Sequence, residues 1–343
     1  MPDGIKFVRN NTTNRKDLVV MEIFSLTLSQ MLMMFTLILA GFLLRKARIL
    51  PNDSDVTMSR LETYIFLPAL NLFNMMTNCT VNTFKSNSVL ILYGLLLIIF
   101  AVALAYPLSK LFIRNSSESA ELDYQRNIYK YAMTFGNYGF VGNFIVLKIW
   151  GGEGLFKYQM LTLCVSLVCS SWGLYTLIPK NRGDRSLSKN LIKGLTAPPM
   201  IALVLGVICG LLNIKQYFPD FALNALSSAS NCMGPVAMVL AGFVIGGYEF
   251  KNLFLNKKVY IATALRLIII PSVMILVMKA LGINKEVLTF ALIAFATPLG
   301  LNTIVYPAAY GGDTKTGASM AMISHALSVI TLPLMYLLLI EII

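Results

Sequence analysis

The sequence predicts an all-α polytopic membrane protein: ten transmembrane helices as two inverted five-helix repeats, with broken crossover helices 4 and 9. Three observations predict it. Apolar runs of bilayer length recur along the chain, the basic residues between them alternate in density, and three motifs recur in the same order in both halves.

Composition sets the class. The chain is 57% hydrophobic and 13% charged, about half the roughly 25% charged residues usual for soluble domains, so it has too little polar surface to coat a globule in water. The mean hydropathy of +0.71 agrees. The net charge of +12 raises nucleic-acid binding as a partner. The basic residues, however, sit in short segments between apolar runs and form no basic face with interleaved aromatics, so they read as topology signals. Cys79, Cys164, Cys169, Cys209 and Cys232 are scattered, four of them inside apolar runs and none in a CxxC pair. They read as small hydrophobes, with no disulfide framework and no metal site.

A hydrocarbon core about 30 Å thick takes roughly 20 helical residues. On that ruler the first half holds runs near 23–44, 61–77, 88–113, 128–149 and 157–178, and the second near 197–213, 221–247, 258–281, 286–310 and 316–341. The first run lacks a small-residue cleavage site and is followed by many others, so it reads as a retained helix. Residues 1–20 form a polar N-terminal tail without a fold signal. Runs 2, 4 and 9 are short or interrupted, by Pro68, by Gly136, Gly139 and Gly142, and by Pro298, Gly300 and Pro307.

Lys and Arg in and beside the odd-numbered loops total 17, against 6 for the even-numbered ones. The odd loops therefore face the cytoplasm and both termini lie outside the cell. Lys6, Arg9, Arg15 and Lys16 would then sit on the wrong side, which suggests a natural start at Met21, where "MEIFSLTLSQ" enters the first helix directly. A native amino terminus at Met1 or Pro2 in mass spectrometry would refute that start.

The polar interval 180–194 is the cytoplasmic linker between a first repeat, 21–179, and a second, 195–343. Gly41 pairs with Gly210, Pro68 with Pro235, and Gly151-Gly152-Glu153 with Gly311-Gly312-Asp313, at offsets of 169, 167 and 160. An aromatic residue, Trp150 or Tyr310, precedes each Gly-Gly-acid triplet. An odd number of helices per repeat makes the second copy enter from the opposite face, an architecture characteristic of secondary transporters.

Runs 4 and 9 should carry the chemistry. Run 4 reads Met133-Thr134-Phe135-Gly136-Asn137-Tyr138-Gly139-Phe140-Val141-Gly142-Asn143, and run 9 reads Ala296-Thr297-Pro298-Leu299-Gly300-Leu301-Asn302-Thr303. Proline removes a backbone donor and glycine lowers the cost of non-helical angles, so both helices should break near mid-membrane. The freed amides and carbonyls survive there only if buried or lining a cavity. Two symmetric breaks can meet this need by crossing, with half-helix amino termini aimed at the crossing. A carboxylate suits that place, with Asn137, Gly139, Gly142, Asn143, Pro298, Gly300 and Asn302 as the candidate substrate-binding residues. The competing reading makes the glycines close-packing positions and the asparagines interhelical bridges; the symmetric pairing favours a site.

His325, the sole histidine, lies in run 10 beside Ser324 and Ser328 and is a candidate for proton coupling, against the commoner role of a neutral, hydrogen-bonded imidazole. Arg266 and Glu62 lie near enough to helix ends to snorkel, and Lys148 reads as an interfacial anchor beside Trp150. No nucleophile elbow, zinc motif or phosphate loop occurs, so neither an enzyme nor direct ATP coupling is expected. No cofactor is expected beyond a coupling ion, H+ or Na+.

Several of these motifs together resemble the auxin efflux carrier family, which includes bacterial malate and malonate permease-like proteins and the plant PIN carriers. The resemblance covers the chain from about Met21 to its end. It rests on Gly41-Phe42-Leu43-Leu44-Arg45-Lys46, Leu67-Pro68-Ala69-Leu70, Asn137-Tyr138-Gly139-Phe140-Val141-Gly142, Pro298 through Tyr310-Gly311-Gly312-Asp313, and Leu332-Pro333. It implies a fold like that of the bile acid:sodium symporters, with helices 1, 2, 6 and 7 as scaffold and helices 3–5 and 8–10 as a mobile transport domain working by elevator-type alternating access. Asn137 matches the family's crossover asparagine, Pro298 its crossover proline and Gly142 the glycine of the helix 4 motif. Many relatives carry proline two residues after that glycine, where this chain has Phe144, so its helix 4 break rests on glycines. The short joint between the halves resembles bacterial members rather than plant ones and implies the bacterial cytoplasmic membrane.

The expected function is a secondary active transporter for a small organic anion, a mono- or dicarboxylate of malate or malonate size. The alternative is a membrane sensor, or a gated anion channel or uniporter, on the same fold. A sensor would need an output domain and a channel a continuous polar stripe, and the sequence offers neither. Expected partners are the anion, membrane lipid and, as an open option, a second copy in a homodimer, with no nucleic acid.

Overall fold

A computed structural model describes residues 12–115, 117–179, 186–249 and 256–342, with side chains from Phe24 onward apart from Ala308 and Ala309. The described residues contain helices and turns and no strand. The helices are α1 (Thr12–Lys46), α2 (Ser54–Leu61), α3 (Leu67–Asn78), α4 (Val81–Asn87), α5 (Val89–Phe112), α6 (Ala120–Thr134), α7 (Asn143–Val168), α8 (Leu174–Leu177), α9 (Leu187–Leu195), α10 (Pro198–Leu211), α11 (Asp220–Gly246), α12 (Lys257–Ala264), α13 (Ile270–Ala280), α14 (Lys285–Ala296), α15 (Asn302–Ala309) and α16 (Lys315–Tyr336). Local chemistry starts several of them. The Ser119 hydroxyl accepts from Leu122 N at the head of α6, the Asn284 side chain from Val287 N at the head of α14, and Thr80 and Thr83 cap α4 reciprocally. Each cap satisfies an amide that has no partner in the first turn.

Six helical stretches among the described residues are long and apolar enough to cross a bilayer: 24–46, 81–112, 120–177, 220–246, 257–280 and 315–342. The pair α9 and α10, bent by 52° at a short break, makes a seventh if counted as one span. This count differs from ten where the runs are interrupted. Runs 4 and 5 fall within the single stretch 120–177, and runs 2 and 9 are divided into shorter helices. Of the N-terminal tail, residues 1–11 lie outside the described residues, whereas 12–20 are helical and continuous with α1. Residues 180–185 of the linker also lie outside them, and the rest is mostly the short helix α9.

Close backbone approach organises the packing. α1 lies along α11, and α10 along α3. A Cβ on Gly41 would collide with the Val239 carbonyl of α11, and one on Gly210 with the Cys79 carbonyl that ends α3. Small residues at a helix interface are the usual means of such contact in lipid. Each of the two glycines paired by sequence thus packs against a proline-bearing helix, Gly41 against α11 and Gly210 against the end of α3. Gly151 and Gly311, also paired by sequence, both take positive φ, 67° and 65°, a conformation that costs glycine little. Outward, Leu32, Leu39 and Leu43 on α1, Leu92, Leu96 and Ile99 on α5, and Val204, Leu205 and Ile208 on α10 stand exposed, an apolar surface that lipid can cover without unsatisfied polar groups.

Candidate functional site

The backbone leaves α6 after Thr134 and passes Phe135 in extended conformation (φ −113°, ψ 133°). It then turns at Asn137 (φ −85°, ψ 47°) and enters a π-helical turn, Tyr138–Gly142, that leads into α7. The break therefore forms without the proline that Phe144 replaces. In the other half the chain leaves α14 at Ala296, extends at Thr297 (φ −65°, ψ 151°) and resumes as α15 from Asn302.

The two interruptions meet. Asn137 N donates to the Pro298 carbonyl at 2.7 Å, and Gly300 lies against Asn137, with its Cβ position 3.7 Å from the Asn137 Cα. Leu299 N donates to Ser324 Oγ of α16 at 3.0 Å, and Thr303 Oγ1 to the Gly300 carbonyl at 3.2 Å. Backbone groups that lipid cannot satisfy are thus met by the opposite break or by a neighbouring helix.

A cavity of about 180 Å³ opens beside the first break, lined in part by Asn71, Tyr138, Gly139, Asn143, Gln159 and Ser166. Gln159 Nε2 donates to Asn71 Oδ1 at 2.8 Å, and Asn71 Nδ2 to the Pro199 carbonyl at 2.9 Å, tying α7, α3 and α10 together at the cavity wall.

The sequence candidates divide. Asn137 is 4% exposed and its side-chain amide finds no hydrogen-bond partner among the described residues. Gly139 and Asn143 line the cavity. Gly142 ends the π-helical turn, where a Cβ would strike the Tyr158 hydroxyl, itself donating to the Tyr138 carbonyl at 3.0 Å. Pro298 and Gly300 lie at the meeting point but outside the cavity lining. Asn302 is engaged, its Nδ2 donating to Tyr131 Oη at 2.9 Å. His325 is buried with Nδ1 2.7 Å from the Ala321 carbonyl and Nε2 unpartnered, and it lines a small void with Pro298, Val141 and Ser328.

Two expectations are corrected. Arg266 does not snorkel: it is 2% exposed, in the π-helical turn Leu265–Ile269, and none of its three guanidinium nitrogens has a hydrogen-bond partner among the described residues. A Cβ on Gly136 would collide with its Nη2 and stand 2.6 Å from Thr297 Oγ1, so the guanidinium reaches the point where both breaks begin. Glu62 is likewise 1% exposed with both oxygens unpartnered, in the π-helical turn Glu62–Phe66 that packs on α11. Both residues lie close enough to helix ends to reach water, but the turns that carry them face the protein interior. Sequence reasoning also passed over Asn71, Gln159 and Tyr131. The available signal was a polar residue inside an apolar run.

The chain matches the model of the family described as "Membrane transport protein" over residues 26–336. It belongs to that family. This is the auxin efflux carrier family that the motifs resemble. The chain is 25% identical over 309 residues to "Uncharacterized transporter MJ1031" of Methanocaldococcus jannaschii, covering 88% of this chain and 96% of that relative. It is 27% identical over 205 residues to "Uncharacterized transporter YfdV" of Escherichia coli K12, covering 57% of this chain and 62% of that relative. With its apolar helices, this member of the membrane transport protein family is a multi-pass membrane transporter.

Proposed function

We propose that the protein is a secondary active transporter that moves a small organic anion, a mono- or dicarboxylate of malate or malonate size, by elevator-type alternating access. In this reading its runs are ten membrane helices in two inverted repeats, runs 4 and 9 cross, both termini are extracellular, and the membrane is a bacterial cytoplasmic membrane. The anion binds at the crossing.

The carrying observation is the meeting of two interrupted helices at Asn137 and Pro298, with the Asn137 amide uncommitted and the neighbouring Tyr138 and Gly139 lining a cavity that Asn71, Asn143 and Gln159 share. A carboxylate there would accept from that amide and from the amino ends of the second half-helices, both of which favour negative charge. The pairings of α1 with α11 and of α10 with α3 support a scaffold of runs 1, 2, 6 and 7. The cavity supports elevator motion, because its wall joins α3 and α10 of that scaffold to Tyr138, Gly139 and Gln159 of the proposed transport domain. His325, buried beside Pro298, is the candidate for proton coupling.

Uptake of a labelled carboxylate panel into proteoliposomes, with pH and sodium gradients varied independently, tests the proposal. Accumulation above equilibrium under one gradient is expected. A conductance that never concentrates substrate would replace the carrier by the channel alternative.

A further inference from the structure

Arg266 is a buried cation without a partner, next to two helix ends. The partly buried charges of Lys157 and Glu341 are answered, the first by Glu153 and Glu286 and the second by Lys285, whereas Arg266 has no ion pair among the described residues. The void beside its guanidinium, bounded by Met133, Thr263, Leu299 and Ser324, is only about 10 Å³, so no substrate sits there. The contacts of Gly136 put the guanidinium at Gly136 and Thr297, immediately after the carboxyl ends of α6, at Thr134, and α14, at Ala296. Each helix carboxyl end carries about half a negative charge, and two together approach the charge of one guanidinium. Burying a cation is costly unless something answers it, and here the answer is the pair of carbonyl ends.

We infer that Arg266 is a positioning residue that makes the crossing selective for anions: its charge offsets the carboxyl ends of α6 and α14. The amino ends of the Tyr138–Gly142 turn and of α15 remain as the unopposed field that a carboxylate answers. Without Arg266 the four half-helix ends cancel and the crossing loses its preference for negative charge. Arg266 acts behind the crossing and does not touch the substrate. This inference rests on the proposed binding of an anion at the crossing.

Purified wild type, R266K, R266Q and R266M are compared in two measurements: carboxylate uptake in proteoliposomes, and the rise in Tm that malonate or acetate produces in detergent. R266K keeps the charge and is expected to stay within about three-fold of wild-type KM with its carboxylate-dependent Tm rise intact. R266Q and R266M are expected to raise KM at least ten-fold, with a smaller change in kcat, and to lose the Tm rise; a merely structural role would lower the basal Tm of all three without abolishing the response to carboxylate. R266Q or R266M with wild-type KM and Tm response overturns the inference alone. Wild type that is neither stabilised by nor transports any carboxylate overturns the anion reading and the inference with it.

Discussion

The break after α6 and the break after α14 occupy matching places in the two halves and differ in how they are held. The first is made by Gly136 and Asn137 without proline, opens beside the 180 Å³ cavity and leaves the Asn137 amide uncommitted. The second contains Pro298 and is tied down: Leu299 N to Ser324, Thr303 to the Gly300 carbonyl, and Asn302 to Tyr131. In the proposed site the first break meets the ligand and the second braces it. The side chains around two similar breaks hold them differently.

The sharpest way to break this comparison is Gly136→Leu. Its Cβ would strike the Arg266 guanidinium and stand 2.8 Å from the Thr297 carbonyl, backbone that cannot easily yield. Overpacking of this kind costs on the order of 1–3 kcal/mol, and because the added side chain would force the two breaks apart, transport should fall to background while some folded protein survives. Uptake together with size-exclusion chromatography checks this. Wild-type uptake would mean the two breaks need not touch.

Asn137→Ala comes next. Loss of a hydrogen bond to a charged group costs about 1.5–3 kcal/mol, so KM should rise roughly ten-fold or more with folded yield unchanged. Unchanged transport in a stably folded variant would remove Asn137 from the site. Asn302→Ala should have the smallest effect on transport, since its amide already serves Tyr131. The expected change is about 1 kcal/mol of stability, read as a lower Tm, with KM within about three-fold. A KM effect as large as that of Asn137→Ala would restore functional symmetry.

Much of this was legible in residue types alone. Gly136 and Pro298 mark the breaks because their backbone chemistry is local, whereas Gly41 and Gly210 were legible as paired positions and only the structure shows them as close helix contacts. What was hidden depends on which way a side chain turns in three dimensions. Arg266 and Glu62 sit at distances from helix ends that suit snorkelling, and only the π-helical turns that carry them show both facing inward. Asn302 looked equivalent to Asn137 until Tyr131, 171 residues away, proved to be its partner. The basic residues of the linker read as loop, whereas Leu187–Leu195 is a helix that buries Asn190 and Gly194, with Gly194 packed against Ser170.

The most direct test of the asymmetric site is calorimetric titration of purified wild type, Asn137→Ala and Asn302→Ala with the carboxylate that uptake identifies. The account predicts that Kd rises about ten-fold or more for Asn137→Ala and stays within about three-fold for Asn302→Ala. Equal weakening in both variants, or none in either, would contradict it.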